Sequence, residues 1–544
     1  MDAMFPTLTP QQMARVSAHG RERRVEEGEV LVEIGDQHPP FLTVVTGQLQ
    51  VVRAGTAGEE VVTVHRPGAF TGEVNMLSGR PGLVRIRALE ASDLIEMTRE
   101  ELLALVQTDS ELSEILMRAF ILRRTELIAH GFGDVVFLGS NHCAATLRIK
   151  EFLTRNGHPY TYIDLDRDRS VQDLLDRFHV TTADVPVLIC RGTWVLRNPT
   201  NHEIADCLGF NVGIDQAHVR DVVIVGAGPS GLASAVYAAS EGLDVLVLEA
   251  NAPGGQAGAS SRIENYLGFP TGITGQELAA RAYTQAQKFG AQLVIAQDAR
   301  RLACDRKPYA IELENGPRVP ARTVIIATGA EYRKLSLDNL TRFEGAGVYY
   351  GATFLEAQLC DGEDVAIVGG GNSAGQAAVF LARTARRVIM LVRSGGLAGT
   401  MSRYLIRRIE DNPAIELLTH TEVSRIDGDD HLERIEWIDG NTGAAGGAPI
   451  RHLFLMTGAS PSTAWLQRCV AMDDKGFIKT GSDLTPEDLA AAGWPLARPP
   501  HLLETSLPGV FAVGDVRCGN VKRVASAVGE GSIAISFVHQ VLSE

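Results

Sequence analysis

The sequence contains no C-x-x-C motif. Its seven cysteines stand singly, at positions 143, 190, 207, 304, 360, 469 and 518. Disulfide-stapled scaffolds and tetrahedral zinc sites need closely grouped cysteines, so the spacing argues against both and fits a reducing cytosol. We therefore expect a cytoplasmic protein that has neither a disulfide framework nor a metal site.

Three further features of the sequence narrow the class of protein. No apolar run approaches the roughly 20 residues that span a bilayer, so no membrane partner is expected. The N-terminus MDAMFPTLTPQQM lacks the basic and apolar regions of a signal peptide. Acidic residues outnumber basic ones by 66 to 51, and the net charge of −15 disfavours a nucleic-acid partner because phosphate binding needs excess positive charge.

The composition is that of a globular chain with several domains. At about 150 residues per domain, 544 residues correspond to three or four. Segment 24–97 alternates short strand patterns with Gly and Pro turns, and 98–129 has a helical pattern. From residue 134 onward strands alternate with amphipathic helices, which predicts α/β structure.

A glycine-rich turn follows the apolar strand of the segment DVVIVGAGPSGLASAVYAASEGLDVLVLEA. A second strand in that segment ends at Glu249. Such glycines let the backbone approach a pyrophosphate, the helix N-terminus stabilises phosphate charge, and the carboxylate accepts hydrogen bonds from ribose hydroxyls. The predicted dinucleotide-binding turn consists of Gly226, Gly228, Pro229, Ser230 and Gly231.

Further motifs follow this turn in a fixed order: GGQAG at 254–258, SSRIENYLGFP at 260–270, VIIATGA at 324–330 and LPGVFAVGD at 507–515. The set resembles the flavoprotein pyridine nucleotide-disulfide oxidoreductases, and most closely the low-molecular-weight thioredoxin reductases, over about 219–544. The resemblance implies a homodimeric FAD enzyme. It implies that FAD is also held by Gly255, Gln256, Asn265, Thr328, Gly329, Gly514, Asp515, Arg523, Val524 (where the family usually has Gln) and Ala525.

A second glycine-rich turn lies in DVAIVGGGNSAGQAAVFLARTARRVIMLVRS. The offset that separates Gly226 from Glu249 leads here to Val392, followed by Arg393, so a 2′-phosphate is favoured over a free 2′-hydroxyl. This predicts NADPH, although the resembled family has a second adjacent arginine, and NADH stays open. The predicted nucleotide-binding residues are Gly369, Gly371, Asn372, Ser373, Ala374, Arg393 and Arg403.

The redox dithiol of thioredoxin reductases is missing. Alignment on the Y-x-A-T motif places Gly351 and Phe354 where that family has its two cysteines. Reduction of thioredoxin by the ordinary route is therefore expected to fail. Cys360, six residues later, is either a catalytic thiol near the flavin or a small buried hydrophobic residue.

Residues 132–215 resemble a thioredoxin or glutaredoxin domain. The segments that carry the likeness are VVFLGSNHCAATLRIKEFL, YIDLD and DVPVLIC, where Val185-Pro186 corresponds to the cis-proline. Cys143 lies at a helix N-terminus, where a thiolate is stabilised. Ser140 replaces the nucleophilic cysteine of the family, so the domain is either a one-cysteine shuttle or a redox-silent docking module.

Two segments of the N-terminal region, VVTGQLQVVRAG and RPGAFTGEVNMLSGRPGLVRIRA, resemble the cyclic nucleotide-binding β-roll. Gly72 and Glu73 match the family motif whose carboxylate binds the ribose. The phosphate-binding arginine is displaced, and Arg80 or Arg85 are the candidates to replace it. A cyclic nucleotide or another effector is one expectation for this domain, and a structural role is the other.

The predicted fold is thus a multidomain α/β chain. Its units are a cyclic nucleotide-binding-like β-roll (1–130), a thioredoxin-like domain (132–215), an FAD-binding domain (219–335 and 460–544) and an NAD(P)H-binding domain (336–459). The leading hypothesis is an oxidoreductase that passes electrons from NADPH through FAD to an unidentified disulfide or small-molecule acceptor. The alternative is a flavin-binding, cyclic nucleotide-responsive sensor without turnover.

Overall fold

The structure is a computed structural model. It describes residues 3–55, 58–129, 135–140, 143–165, 184–191, 194–211, 213–260, 262–263, 265–314, 316–337, 339–352, 354–466 and 469–544. Within these ranges, no helix is both long and apolar enough to cross a membrane.

The N-terminal region is a roll of two antiparallel sheets, as predicted. Their orders are β1-β7-β3 and β2-β6-β4-β5. The strands are β1 (Arg21–Val25), β2 (Val30–Val32), β3 (Phe41–Thr46), β4 (Leu49–Gly55), β5 (Gly58–His65), β6 (Arg85–Ala88) and β7 (Ser92–Met97), and the helices are Pro10–Ser17, Asn75–Ser78, Arg99–Thr108 and Ser110–Ala129. Phe41, Phe70 and Phe120 are fully buried and pack against one another in its core.

The next unit, called the small domain here and described over 135–211, has one four-stranded sheet. Its order is β11-β10-β8-β9, with β8 and β9 parallel and the other pairs antiparallel. The elements are β8 (Val135–Gly139), Ala144–Arg155, β9 (Thr161–Asp164), β10 (Val187–Cys190), β11 (Trp194–Arg197) and Asn201–Cys207. The Val185–Pro186 peptide is cis, as the resemblance predicted. The segment VQDLLDRFHV (171–180), for which the sequence pattern predicts a helix, lies outside the described residues.

A mainly parallel sheet carries the first glycine-rich turn, with the order β14-β13-β12-β17-β16-β15. Strands β12 and β13 are apolar and covered on both faces, which is why they read as continuous hydrophobic runs. The strands are β12 (Arg220–Val225), β13 (Val245–Glu249), β14 (Gln292–Ile295), β15 (Ala299–Ala303), β16 (Tyr309–Leu313) and β17 (Arg318–Ile326), and the helices are Pro229–Ser240, Gly255–Gly258 and Gly275–Lys288.

A second parallel sheet, β19-β26-β20-β21-β22, carries the other turn, with β23-β24-β25 as a separate antiparallel sheet. The strands are β18 (Ala330–Tyr332), β19 (Val348–Tyr349), β20 (Asp364–Val368), β21 (Arg387–Val392), β22 (Ile415–Thr419), β23 (Thr421–Asp427), β24 (Arg434–Asp439), β25 (Ala445–Ala448), β26 (His452–Leu455) and β27 (Ala459–Pro461), and the helices are Leu340–Phe343, Phe354–Leu359, Asn372–Leu381 and Arg403–Glu410.

The chain enters and leaves this second unit through β18 and β27, which pair with each other. It then returns to the first parallel sheet, where β28 (Val510–Ala512) joins β17. The remaining elements are the helix Pro486–Ala492, the 3₁₀ turns Ala464–Leu466, Gly481–Asp483 and Gly514–Val516, and the long helix Val524–Ser543.

One disulfide, Cys304–Cys469, joins residues 165 positions apart. It connects the residue after β15 with the segment that follows the 3₁₀ turn Ala464–Leu466. The expectation that the chain has no disulfide framework rested on spacing along the sequence, and spacing cannot show a pair that only the fold brings together. The other five cysteines are not part of this disulfide.

Candidate active site

A single cleft of about 2180 Å³ lies between the two parallel sheets. Both glycine-rich turns contribute to its wall, through Gly226 and Gly228 on one side and Gly369 and Gly371 on the other. Ligand pockets for drug-sized molecules measure roughly 300–1,000 Å³. The cleft is therefore large enough for two dinucleotides.

The first turn has the geometry that a pyrophosphate requires. Gly226 has φ +102°, and a Cβ there would collide with the carbonyl oxygen of Ala327. A Cβ at Gly231 would collide with the carbonyl of Gly226, which explains the third glycine as a helix-packing position. Gly228 faces open space, because a Cβ at this position would have its nearest neighbour 3.9 Å away. Helix Pro229–Ser240 starts at this open backbone, so the turn fits a bound phosphate.

Glu249 closes the other side of this subsite. Its carboxylate accepts hydrogen bonds from the backbone N–H groups of Ala227 (2.7 Å), Asn251 (2.9 Å) and Ala252 (3.2 Å). Burial raises the pKa of Glu249, while these hydrogen bonds and the charge of Arg155 lower it. These hydrogen bonds hold the side chain beside the first turn, and its binding to a ribose stays a prediction.

The flavin end of the cleft is formed by two further segments. Asp515 stands in the turn after β28, and burial raises its pKa, opposed by Lys522 and reinforced by Glu530. Gly514 has φ +75°, and its N–H donates to Glu530 at 2.7 Å. Other predicted FAD residues that line the cleft are Pro229, Ser230, Gly255, Gln256, Asn265, Thr328, Gly329, Arg523 and Val524.

Three of the predicted FAD residues do not line the cleft. Gly231 is buried in helix Pro229–Ser240, Gly514 is buried in the turn, and Ala525 is exposed on the first turn of helix Val524–Ser543. The N-terminus of that helix nevertheless opens at the cleft, since Arg523, Val524 and Ala527 line it. A helix N-terminus there stabilises negative charge on a bound group.

The second turn repeats the first. Gly369 has φ +143°, and a Cβ on it would collide with the carbonyl of Met456, whereas Gly371 faces open space. Ala374 is fully buried in the helix–sheet core. The side chain of Asn372 accepts a hydrogen bond from the N–H of Ser402 at 2.8 Å, and Ser373 lines the cleft.

The two arginines proposed for the nucleotide phosphate differ in position. Arg393 is exposed and lines the cleft directly after β21. Arg403 is the first residue of helix Arg403–Glu410 and is also exposed, but it is not among the residues that line the cleft. The structure thus brings Arg393, and not Arg403, to the second turn.

The structure contradicts the catalytic reading of Cys360. This residue is fully buried among apolar side chains of the second sheet. Burial raises the pKa of its thiol, and the charges of Glu356 and Glu363 raise it further. A reactive cysteine needs access and a lowered pKa, so Cys360 is a packing residue. Gly351, at the position of the first missing cysteine, does line the cleft.

Two other thiols, those of Cys143 and Cys518, are also absent from the residues that line the cleft. Cys143 is partly exposed and precedes helix Ala144–Arg155 as its N-cap, with its N–H donating to Ser140 at 3.1 Å. Its redox role stays a prediction. Burial and the neighbouring Asp473 raise the pKa of Cys518, whose thiol donates to that carboxylate.

The predicted effector residues of the N-terminal roll contact protein groups instead. Arg80 is buried and donates to the carbonyl of Asn156 (3.3 Å) and the hydroxyl of Tyr283 (3.0 Å). It also lies 4.2 Å from the ring centre of Phe210. Its assignment to a cyclic phosphate was therefore wrong, because its donors face the neighbouring domains.

The remaining members of that set are also engaged. Glu73 forms an ion pair with Arg124 at 3.6 Å, and the carbonyl of Gly72 accepts from Arg123 at 2.8 Å. Arg85 pairs with Glu33 and Glu59. Effector binding through Glu73 and Arg85 stays a prediction.

One part of the cleft wall was absent from the sequence-based prediction. Helix Ala144–Arg155 of the small domain borders the cleft through Ala144, Leu147, Arg148, Glu151 and Arg155. No motif marks these residues, because their position depends on how the small domain packs. The amphipathic pattern showed the helix but not its neighbour.

Comparison with known proteins agrees with this geometry. The family model described as "Pyridine nucleotide-disulphide oxidoreductase" matches residues 220–531, which is more than half of the chain. The chain belongs to the pyridine nucleotide-disulphide oxidoreductase family. A second model, "Cyclic nucleotide-binding domain", matches residues 22–109, which confirms the family resemblance of the N-terminal roll.

Within this oxidoreductase family, the similar proteins are thioredoxin reductases. That of Bacillus subtilis (strain 168) is 30% identical over 332 residues, covering 61% of this chain and 97% of the relative. That of Mycolicibacterium smegmatis is 33% identical over 332 residues, with 60% and 97% covered. The chain is therefore a thioredoxin reductase-like oxidoreductase that uses FAD and a nicotinamide nucleotide.

Solved structures give the same oxidoreductase core. Lactococcus lactis thioredoxin reductase in its FR conformation matches with a TM-score of 0.53 and 26% identity, over 60% of this chain and 99% of that one. The thioredoxin reductase of T. acidophilum matches with a TM-score of 0.52 and 29% identity, over 59% and 99%.

Proposed function

We propose that this enzyme passes electrons from NADPH, through FAD, to an acceptor that enters the cleft itself. The observation that carries the proposal is that the segment 351–360 offers no accessible thiol to the cleft. Gly351 lines the cleft where a redox cysteine is missing, and the nearest cysteine along the chain, Cys360, is fully buried with a raised thiol pKa. We therefore infer that no thiol between Gly351 and Cys360 carries electrons from the flavin to an acceptor.

In this proposal, the residues of the cleft bind FAD and stabilise negative charge on it. When bound, FAD accepts a hydride from the nicotinamide and gives the electrons to the acceptor. Gly226, Gly228 and Glu249 would hold the adenosine end of FAD, and Asp515 would hold the opposite end. The N-terminus of helix Val524–Ser543 favours negative charge near it. These groups bind and orient, and none of them has to supply a proton.

NADPH is proposed over NADH because of one side chain. Arg393 follows β21, one residue after the position where a 2′-hydroxyl-binding carboxylate would stand, and it lines the cleft. A guanidinium suits a phosphate through charge-assisted, bidentate hydrogen bonds. The exposed position of Arg393 is compatible with this role, since the phosphate would be its partner.

The acceptor class can be tested by steady-state assays of the full-length, FAD-loaded protein with NADPH. We expect reduction of a small acceptor such as dichlorophenolindophenol or a quinone, and no reduction of oxidised thioredoxin. Efficient reduction of thioredoxin would contradict direct electron transfer from FAD to the acceptor, because thioredoxin reduction would require a dithiol in the enzyme. If NADPH and NADH reduce neither the flavin nor any acceptor, the sensor without turnover is the correct function.

The N-terminal roll is proposed as a regulatory or docking module. Its support is Arg80, which contacts both the small domain and Tyr283 on helix Gly275–Lys288. An effector in the roll would therefore act on groups attached to the catalytic core. The test is the NADPH-dependent rate with and without cyclic AMP or cyclic GMP, and an unchanged rate supports docking alone.

A further inference from the structure

The small domain and the FAD-binding sheet share one hydrophobic core. Phe152, Leu208 and Phe210 of the small domain pack with Ile295 and Ala296, at the end of β14. All five are buried. Burial of apolar side chains stabilises an interface at about 25 cal/mol per Å². The small domain is therefore packed against the oxidoreductase core as part of it, unlike a domain on a loose tether.

Hydrogen bonds also fix the position of the small domain against the FAD-binding domain. The side-chain amide of Asn211 makes two bonds to the backbone of Ile295, at 2.7 and 2.8 Å. Asn201 donates to the side chain of Asn251 at 2.9 Å. Asn156 donates to the backbone carbonyl of Asn251 at 3.3 Å. Asn251 is two residues after Glu249, so this docking reaches the adenosine end of the cleft.

Arg155 is the charged residue that this docking brings to the cofactor site. It lines the cleft, and its side chain is only 15% exposed. One nitrogen donates to the carbonyl of Gly255 at 2.7 Å, and another pairs with Glu151 at 3.1 Å. Burial raises the pKa of Glu249, and the charge of Arg155 opposes that rise. The guanidinium thus contacts one predicted FAD residue, Gly255, and acts electrostatically on a second, Glu249.

We propose that Arg155 binds the adenosine diphosphate half of FAD, so that the small domain supplies part of the FAD site. The first glycine-rich turn offers backbone N–H groups and a helix N-terminus to the pyrophosphate, and a guanidinium adds the positive charge that a diphosphate favours. Because Arg155 is already held in place, little side-chain entropy is lost on binding. The inference rests on FAD binding in this cleft.

This role gives the small domain a function that does not depend on Cys143. The helix that carries Arg155 begins directly after Cys143. Movement of that cysteine away from the core would withdraw Arg155 from the cofactor. The domain therefore serves as a fixed wall of the FAD site, as its shared core indicates.

The test is the FAD affinity of the full-length protein after removal of its flavin, followed by flavin fluorescence. We expect Arg155→Met to raise the Kd for FAD about tenfold, the usual effect of one charge-assisted hydrogen bond. ADP used as a competitor should lose affinity by a similar factor. The Kd of Arg155→Lys should lie between those of the wild type and Arg155→Met, because lysine keeps the positive charge but lacks the planar guanidinium.

Lys150→Met is the matched control, since it removes a positive charge from the same helix at a residue that does not line the cleft. It should leave the Kd for FAD within about twofold. The proposal would be overturned if Arg155→Met bound FAD and ADP as tightly as the wild type, or if Lys150→Met lost as much affinity as Arg155→Met. A wild-type protein that binds no FAD would instead overturn the proposed function.

Discussion

Cys360 can be tested as a packing residue. It has no exposed surface and lies among apolar side chains. Cys360→Ser places a hydroxyl there without an assured partner, and we expect it to lower the free energy of unfolding by about 1–3 kcal/mol. Cys360→Ala should cost less because it buries no polar atom. Urea unfolding measures both, and loss of acceptor reduction in folded Cys360→Ala would contradict this account.

Arg393 and Arg403 form a matched pair for nucleotide choice. Arg393→Met should raise KM for NADPH about tenfold or more and leave KM for NADH unchanged, because only NADPH carries the 2′-phosphate. Arg403→Met is the control, since Arg403 does not line the cleft. The measurement is the ratio of kcat/KM for the two nucleotides. A loss of NADPH preference in Arg403→Met alone would reverse the assignment.

His65 makes the N-terminal roll sensitive to acid. Burial lowers its pKa to about 3, assisted by the charge of Arg123, whereas an unfolded histidine titrates near 6.5. Between these values the unfolded chain binds the extra proton, so stability present above about pH 6.5 is lost as the pH falls toward 3. We expect His65→Leu to flatten the decline of the urea midpoint between pH 7 and pH 5. An identical decline in both proteins would exclude this origin.

At the scale of elements, the turn that presents Asp515 depends on one carboxylate of the following helix. Glu530 accepts from the N–H of Gly514 (2.7 Å), from Arg517 (2.7 Å) and from Asn520 (2.8 Å). These bonds hold the turn at the positive φ of Gly514, so Glu530 is a positioning residue.

Glu530→Gln should weaken FAD binding about fivefold, because a neutral amide replaces a charged acceptor of several hydrogen bonds. The readout is the Kd for FAD by fluorescence. Ser536→Ala on the exposed face of the same helix is the control and should leave the Kd unchanged. An unaltered Kd in Glu530→Gln would show that the turn holds its shape without this carboxylate.

The elements that could be predicted from sequence are those whose structure is encoded locally. Both glycine-rich turns follow from glycines at positions where a Cβ would collide with nearby backbone or which must stay open to a phosphate. The role of Arg80 could not be predicted, because its partners Asn156 and Tyr283 lie 76 and 203 residues away. The Cys304–Cys469 disulfide and the Arg155 contact escaped prediction for the same reason.

At the scale of the whole molecule, the described domains are joined by direct contacts. Arg80 joins the N-terminal roll to the small domain and to helix Gly275–Lys288. Ile295 joins the small domain to the first parallel sheet, and the paired strands β18 and β27 connect the two sheets. The contacts therefore run without a break from the roll to the small domain that borders the cleft.

Electrons are proposed to leave from the flavin without an internal dithiol. An anaerobic NADPH titration of the full-length protein, followed by flavin absorbance, measures how many electrons the protein takes up. We expect bleaching with about two electrons per flavin, both in wild type and in a Cys304→Ala, Cys469→Ala variant that lacks the disulfide. About four electrons per flavin in both proteins would reveal a second thiol pair and would contradict direct transfer from the flavin.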